Sequence, residues 1–326
     1  MSERRVIILL YLVCSVLLAL ALYLGVNAYV TRRWAAKAEQ LIPPAGQFVE
    51  IGGSRIHYVD EGQGSPIVFV HGLGGQLHHF KGPLFDHMKG EFRLIALDRP
   101  GSGYSVRADG ATGRPREQAH VIAALIDRLG LEKPLVVGHS LGGLISLTLA
   151  LEHTDKVRGL ALLSPLTTRA KNPPAGFAGL EIASPLVRRF LAHTLAIPLA
   201  AKTAPETLAF VFGPQQPTAD YGVAGGGWLG LRPAHFYATS TDYVAVNGEI
   251  DAIAARVGEI SIPVGVLYGD KDQVLDFEEQ GLSMRDRLGG VDVEVLQGIG
   301  HMPQFVATDQ TLSFIRKMAK RVFAGD

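Results

Sequence analysis

The sequence of 326 residues holds a single cysteine, Cys14, and it lies inside the longest apolar run. The rest of the chain can therefore form neither an internal disulfide nor a cysteine-based metal site. There is also no surplus of charge: 31 Lys plus Arg balance 31 Asp plus Glu, for a formal net charge of zero. Basic residues form no cluster beyond short pairs, so the basic stripe that tracks nucleic-acid phosphates is missing and no nucleic-acid partner is expected. Internal repeats and low-complexity tracts are absent. The run Gly225-Gly226-Gly227 lacks the strand and helix that a dinucleotide site needs, so no cofactor and no metal are expected.

What the chain has in quantity is apolar sequence, 47% of residues, enough for a large core. Part of it is concentrated in residues 6–26, which carry no charge. As a helix this stretch spans roughly 31 Å, the depth of a bilayer's hydrocarbon. Arg4 and Arg5 precede it, and Tyr29, Arg32, Arg33 and Trp34 follow, the residue types that anchor both interfaces. Residues 1–30 are accordingly expected to form a single-pass N-terminal membrane anchor, and the near balance of basic residues leaves its orientation open. The run is longer than the apolar region of a signal peptide, but Val26 and Ala28 would suit a cleavage site, so a cleaved signal peptide is the alternative. Residues 31–46 are expected to be a linker that ends at Pro43-Pro44.

From residue 47 to 326 the pattern is that of one folded domain. Two β-type segments flank Gly52-Gly53, the signature of a hairpin. Short runs at residues 67–70, 92–97, 135–137, 157–163, 264–268 and 291–296 are rich in apolar and β-branched residues, continuous rather than alternating. Such strands are buried on both faces, as in a parallel sheet. Amphipathic stripes separate them: Val121, Ile122, Leu125, Ile126 and Leu129, and near the end Leu312, Ile315, Met318 and Val322. The expected fold is α/β, a mostly parallel sheet with helices on both faces. Between about residues 165 and 245 no strand is evident and half of the 18 prolines occur, too long a stretch for a loop, so a cap subdomain is expected there.

The sharpest chemical signal is Gly138-His139-Ser140-Leu141-Gly142, placed between a buried strand and a helical pattern. A serine on so tight a strand-to-helix turn is pushed out above the sheet, and the glycines on either side relieve collisions. Ser140 is the expected nucleophile. Donors for an oxyanion are expected in the backbone N–H of Leu141 and, from the loop His71-Gly72-Leu73-Gly74-Gly75, in that of Leu73. His71 is expected to brace this loop. The base is expected in His301, on the loop after the last strand; His139 should point away from the serine, and His78, His79, His87, His120 and His153 fall on surface or helix positions. The acid is expected after the preceding strand, where both Asp270 and Asp272 qualify.

Taken together these residues resemble the α/β-hydrolase superfamily over residues 47–322. His71-Gly72 is similar to its oxyanion motif, and residues 98–105, Asp-Arg-Pro-Gly-Ser-Gly-Tyr-Ser, to its D-x-x-G-x-G-x-S segment, in which a structural role is expected. Residues 138–142 match its nucleophile elbow, residues 269–272 its acid loop, and Gly300-His301 its histidine loop. The resemblance implies a chain order of Ser140, Asp272, His301 and favours Asp272 over Asp270. Haloalkane dehalogenases and epoxide hydrolases share several of these motifs but use an aspartate nucleophile, which Ser140 argues against. A membrane helix followed by such a domain is similar in layout to membrane-bound monoacylglycerol lipases. The expected activity is hydrolysis of a small-molecule or lipid ester with an apolar acyl group. The alternatives are another serine-triad reaction, such as C–C bond hydrolysis, amide hydrolysis or perhydrolysis, or a non-catalytic membrane-tethered binding protein.

Overall fold

The computed structural model describes residues 3–324; residues 1–2 and 325–326, the outer ends of the expected anchor and domain, lie outside the described residues. The hairpin forms from β1 (Gln47–Ile51) and β2 (Ser54–Glu61), with Gly52 and Gly53 both at positive φ in the turn. Six more strands follow: β3 (Pro66–Val70), β4 (Arg93–Leu97), β5 (Leu135–His139), β6 (Gly159–Leu163), β7 (Val264–Gly269) and β8 (Asp292–Leu296). They form one sheet in the order β1-β2-β4-β3-β5-β6-β7-β8. β2 pairs antiparallel with β1 and with β4, and every pair from β4 to β8 is parallel. The fully apolar strands feed both faces: Val68 and Val70 enter one core, while Ile67 and Phe69 enter the other.

The first core is closed by α2 (Pro115–Arg128) and α3 (Leu141–Glu152), the second by α7 (Thr308–Phe323). The strand order reverses at β4-β3-β5, so the crevice at the carboxyl ends of β3 and β5 is where such a sheet holds its ligands. Over this edge lies the stretch expected as a cap, and it is helical: α4 (Pro185–His193), α5 (Ala196–Phe212), a 3₁₀ turn at Gly227–Leu231, and α6 (Pro233–Val246).

One boundary differs from expectation. The N-terminal helix, α1, runs unbroken from Glu3 to Leu41, roughly 58 Å, and takes in most of the stretch expected as a linker. Packing against the cap is the physical reason. Leu24, Ala28, Thr31, Ala35 and Ala38 recur at helical spacing and are half-buried or buried, while their neighbours on the other side are exposed. Trp34 stacks on Trp228 with centroids 5.5 Å apart, Lys37 lies over the same indole, and Glu39 pairs with Arg232 at 2.9 Å. The small and polar residues that suggested a linker thus form the face that lets α1 lie close to the cap.

Candidate active site

Leu135 to His139 form a central strand with every residue buried, and the chain turns directly from it into α3. The turning residue is Ser140, at φ 54° and ψ −122°, a backbone conformation rare for a side chain larger than hydrogen. Its neighbours hold it there. The Ser140 N–H donates to the Leu163 carbonyl (3.1 Å), and its own carbonyl accepts from Gly143 (2.8 Å) and Leu166 (2.9 Å). At Gly142 any Cβ would strike the Val70 carbonyl, so the helix can begin this close to β3 only with glycine there. The N–H of Leu141, at the first turn of α3, has no partner inside the helix, and the positive end of the helix is directed to the same point.

The loop after β3 lies against this serine: a Cβ added at Gly72 would be 2.8 Å from the Cβ of Ser140. Leu73 follows immediately, so the two peptide N–H groups expected as oxyanion donors belong to adjoining segments. His71 braces the loop, as expected. Its Nδ1 donates to the Gly72 carbonyl (2.9 Å) and its Nε2 accepts from the Arg99 amide (3.0 Å), which fixes one tautomer. Burial, with the Arg99 charge beside it, holds its pKa well below the usual histidine value, so the ring stays neutral.

The loops after β7 and β8 meet next to His139, the residue before the serine. His301 Nδ1 and Asp272 Oδ2 are 2.7 Å apart, with both side chains almost fully buried. The other carboxylate oxygen of Asp272 accepts from the amides of Val274 (2.8 Å) and Leu275 (2.9 Å), which aims the carboxylate at the imidazole. Asp270, the rival acid, turns elsewhere and accepts from the Gly298 amide at 2.6 Å, closing the turn before the histidine loop. Geometry thus brings Asp272, and not Asp270, to His301.

Two features went unread in the sequence. His139 was expected only to point away from Ser140; its Nε2 donates to the carbonyl of His301 (2.9 Å), with ring centroids 4.9 Å apart. Burial pushes its pKa down, so this brace too is neutral. The second is Arg99, fully buried, whose guanidinium donates to the carbonyls of His71 and Gly72 (2.9 Å each) and to Asp242 of α6 (2.6 Å). Arg107 pairs with the same carboxylate. The cap is thereby pinned to the loop beside the serine. Asp98, expected to be structural, accepts from the amides of Leu77 and Tyr104 and bonds His57 Nδ1 at 2.7 Å. His79, expected at a surface or helix position, is buried beneath the cap with its Nε2 3.2 Å from the Tyr221 hydroxyl, and burial lowers its pKa to about 3. Among the described residues no group of three or more His, Cys, Asp or Glu is placed to hold a metal ion.

A serine on a strained turn, a glycine loop packed against it, the start of a helix behind it and a carboxylate-held imidazole are groups able to carry out acyl transfer. The family model described as alpha/beta hydrolase fold matches residues 65–308, from the start of β3 to the start of α7. The chain belongs to the α/β-hydrolase family. Its relatives include haloalkane dehalogenase 2 of Mycobacterium tuberculosis, 37% identical over 123 residues, which are 38% of this chain and 43% of that protein. The chain thus spans less than half the length of the relatives matched at this level. A longer match is 2-hydroxy-6-oxo-6-phenylhexa-2,4-dienoate hydrolase of Comamonas testosteroni, 25% identical over 80% of this chain and 91% of that protein. Among solved structures, one described as a membrane phospholipase A and bacterial virulence factor superposes with TM-score 0.68 at 22% identity, covering 96% of this chain and 98% of the other. An esterase from Thermogutta terrifontis does so with TM-score 0.64, also at 22% identity, covering 85% and 99%. The hydrolase fold is common to them all.

Proposed function

We propose that this hydrolase cleaves carboxylic esters with an apolar acyl group, working at a membrane into which residues 6–26 are inserted. The observation that carries this reading is Ser140 in its strained turn, directly after His139, whose ring bonds the carbonyl of His301, the partner of Asp272. In the proposed reaction the Ser140 hydroxyl gives its proton to His301 Nε2 while Oγ attacks the ester carbonyl. Asp272, bonded to Nδ1, holds the imidazole in the tautomer that accepts at Nε2 and stabilises the imidazolium that forms. The amides of Leu73 and Leu141 receive the oxyanion. His301 then passes the proton to the leaving alkoxide, and a water deprotonated by the same ring releases the carboxylic acid from Ser140.

An apolar substrate is supported by the cap, whose helices α4 and α5 are rich in Leu, Phe and Ala. A membrane setting is supported by α1, whose apolar half is exposed along its length, and by the fold-level likeness to a membrane phospholipase A that extends over 96% of the chain. A second reading, C–C bond hydrolysis by the same three residues, draws on the dienoate hydrolase of Comamonas testosteroni.

The test is labelling by a fluorophosphonate probe followed by a substrate panel. Labelling of the wild type that is lost in Ser140→Ala is the expected result, with turnover of acyl esters and none of a vinylogous dienoate. A well-folded wild type that does not react would overturn the triad, and preference for the dienoate would favour the second reading.

A further inference from the structure

The cap leaves large apolar side chains bare on one helix. On α4, Leu186 is 80% exposed and Phe190 50%, one helical turn apart, with Val187 beside them. Leu199, in the first turn of α5, is 60% exposed. Aqueous surfaces seldom group such residues without a use. Their position relative to α1 says what covers them. α1 packs against both α4 and α5, and the buried Thr31 lies against the carbonyl of Thr194, the residue that ends α4. The protected stripe on α1 begins at Leu24, inside the apolar run of residues 6–26. The cap therefore reaches the level at which α1 leaves the hydrocarbon, and Arg32 and Arg33, exposed on the next turn, sit where headgroups would be.

We infer that the α4–α5 corner of the cap, through Leu186, Phe190 and Leu199, is seated in the interfacial layer of the same bilayer that α1 crosses. This rests on the anchor reading above. The occupant is lipid: the bare side chains belong to the two helices that pack on α1, and the exposed basic residues Arg32 and Arg33 of α1 and Arg189 of α4 match anionic headgroups. The cap would then meet acyl chains directly, without their crossing water.

The experiment uses the full chain with Cys14→Ser, reconstituted in phosphatidylcholine vesicles containing 20 or so per cent phosphatidylglycerol, an anionic fraction of the order that gives a surface potential of tens of millivolts. A bimane label is placed in turn at Leu186→Cys, Phe190→Cys, Leu17→Cys and Glu132→Cys, and quenching by lipids brominated along the acyl chain, near the headgroup for 186 and 190 and deep in the chain for 17, is read without any need for activity. Quenching at 186 and 190 at least half as strong as at 17, with none at the exposed Glu132 position, is expected. Quenching at 17 alone would overturn the seated cap and leave the anchor standing, whereas no quenching at 17 would remove the anchor itself. Labels at 186 and 190 that are shielded from water but unquenched, and that cross-link between chains, would assign the patch to a second copy and overturn the inference.

Discussion

Replacing Asp242 by Asn tests whether the buried ion pair between cap and core does what its geometry implies. The Asp242 side chain is 1% exposed and Arg99 is completely buried, while Arg107 reaches the same carboxylate from the edge. Asparagine keeps one oxygen for Arg99 but sets its amide group against Arg107 and removes the charge. Breaking a buried pair costs about 3–5 kcal/mol, because the remaining charge is left in a poorly polarisable interior. A domain of this size loses about 2–4 °C per kcal/mol, so thermal unfolding should fall by at least about 6 °C. Activity should fall as well, because Arg99 also holds the carbonyls of His71 and Gly72, the second of which shares its peptide with the Leu73 N–H. Complete loss of one oxyanion donor costs about a hundred- to a thousandfold in kcat, so a loosened donor should cost about tenfold, with KM changed less. Differential scanning fluorimetry and steady-state kinetics on the same preparation measure both. Asp251→Asn is the control: its partner Arg169 is also within hydrogen-bond distance, at 2.8 Å, but both are well exposed, and such pairs contribute about 0–1 kcal/mol. If Asp242→Asn melted within 2 °C or so of the wild type, the size of one surface contribution, the account of a cap pinned through Arg99 would be wrong.

Three further outcomes follow from the site. Asp272→Asn should cut kcat by about four orders of magnitude through loss of the correct imidazole tautomer, while Asp270→Asn, which only loosens the Gly298 turn, should leave kcat within about tenfold and lower thermal stability by about 1 kcal/mol; comparable losses in kinetic assays would reopen the choice of acid. His79, held at a pKa of about 3, and His235, held at about 4, are kept neutral by burial, and both fold well below the ordinary histidine value. Their stabilising effect is complete above about pH 6.5 and declines as pH falls towards their folded values, by up to about 1.4 kcal/mol per pH unit for each, because the unfolded chain binds the protons. Melting temperature should therefore drop steeply between pH 6.5 and pH 4.5 or so, less steeply in His79→Gln, and an equal slope in the two proteins would contradict this. Gly142→Ala should abolish probe labelling or folding, since its methyl group would collide with the Val70 carbonyl, whereas Gly289→Ala, with open space around it, should change stability by less than about 0.5 kcal/mol.

The parts of this protein that were legible in its sequence are those governed by local physics. Buried strands declare themselves by continuous β-branched and apolar residues, and the Ser140 turn by glycines that a tight bend requires. Asp272 and His301 were legible because each follows a strand directly, so that their loops must meet at one sheet edge; the choice against Asp270 depended on which carboxylate turns inward, which spacing alone does not encode. What stayed hidden depends on contacts between distant segments. Nothing around Asp242 marks it as the partner of Arg99, 143 positions earlier. His139 bonds a backbone carbonyl, a partner without any residue-type signature. The continuation of α1 to Leu41 rests on Trp228 and Arg232, which lie on the far side of the cap's sequence.

That continuation decides where the chain can be shortened. Trp34 shields the indole of Trp228, which sits on the turn that begins at Gly227, two residues after the carbonyl of Gly225 receives the amide of Gln76. A soluble version beginning at residue 47, the start of the folded domain by sequence, would lose the Trp34 stack, the Glu39–Arg232 pair and the bond from the Tyr104 hydroxyl to Ile42, and bare an aromatic surface a short step from the loop beside Ser140. A version beginning near residue 29 removes the apolar run and keeps every one of these contacts. The same holds for proteolytic release after Ala28, which would leave the last three turns of α1 as a permanent strut on the cap.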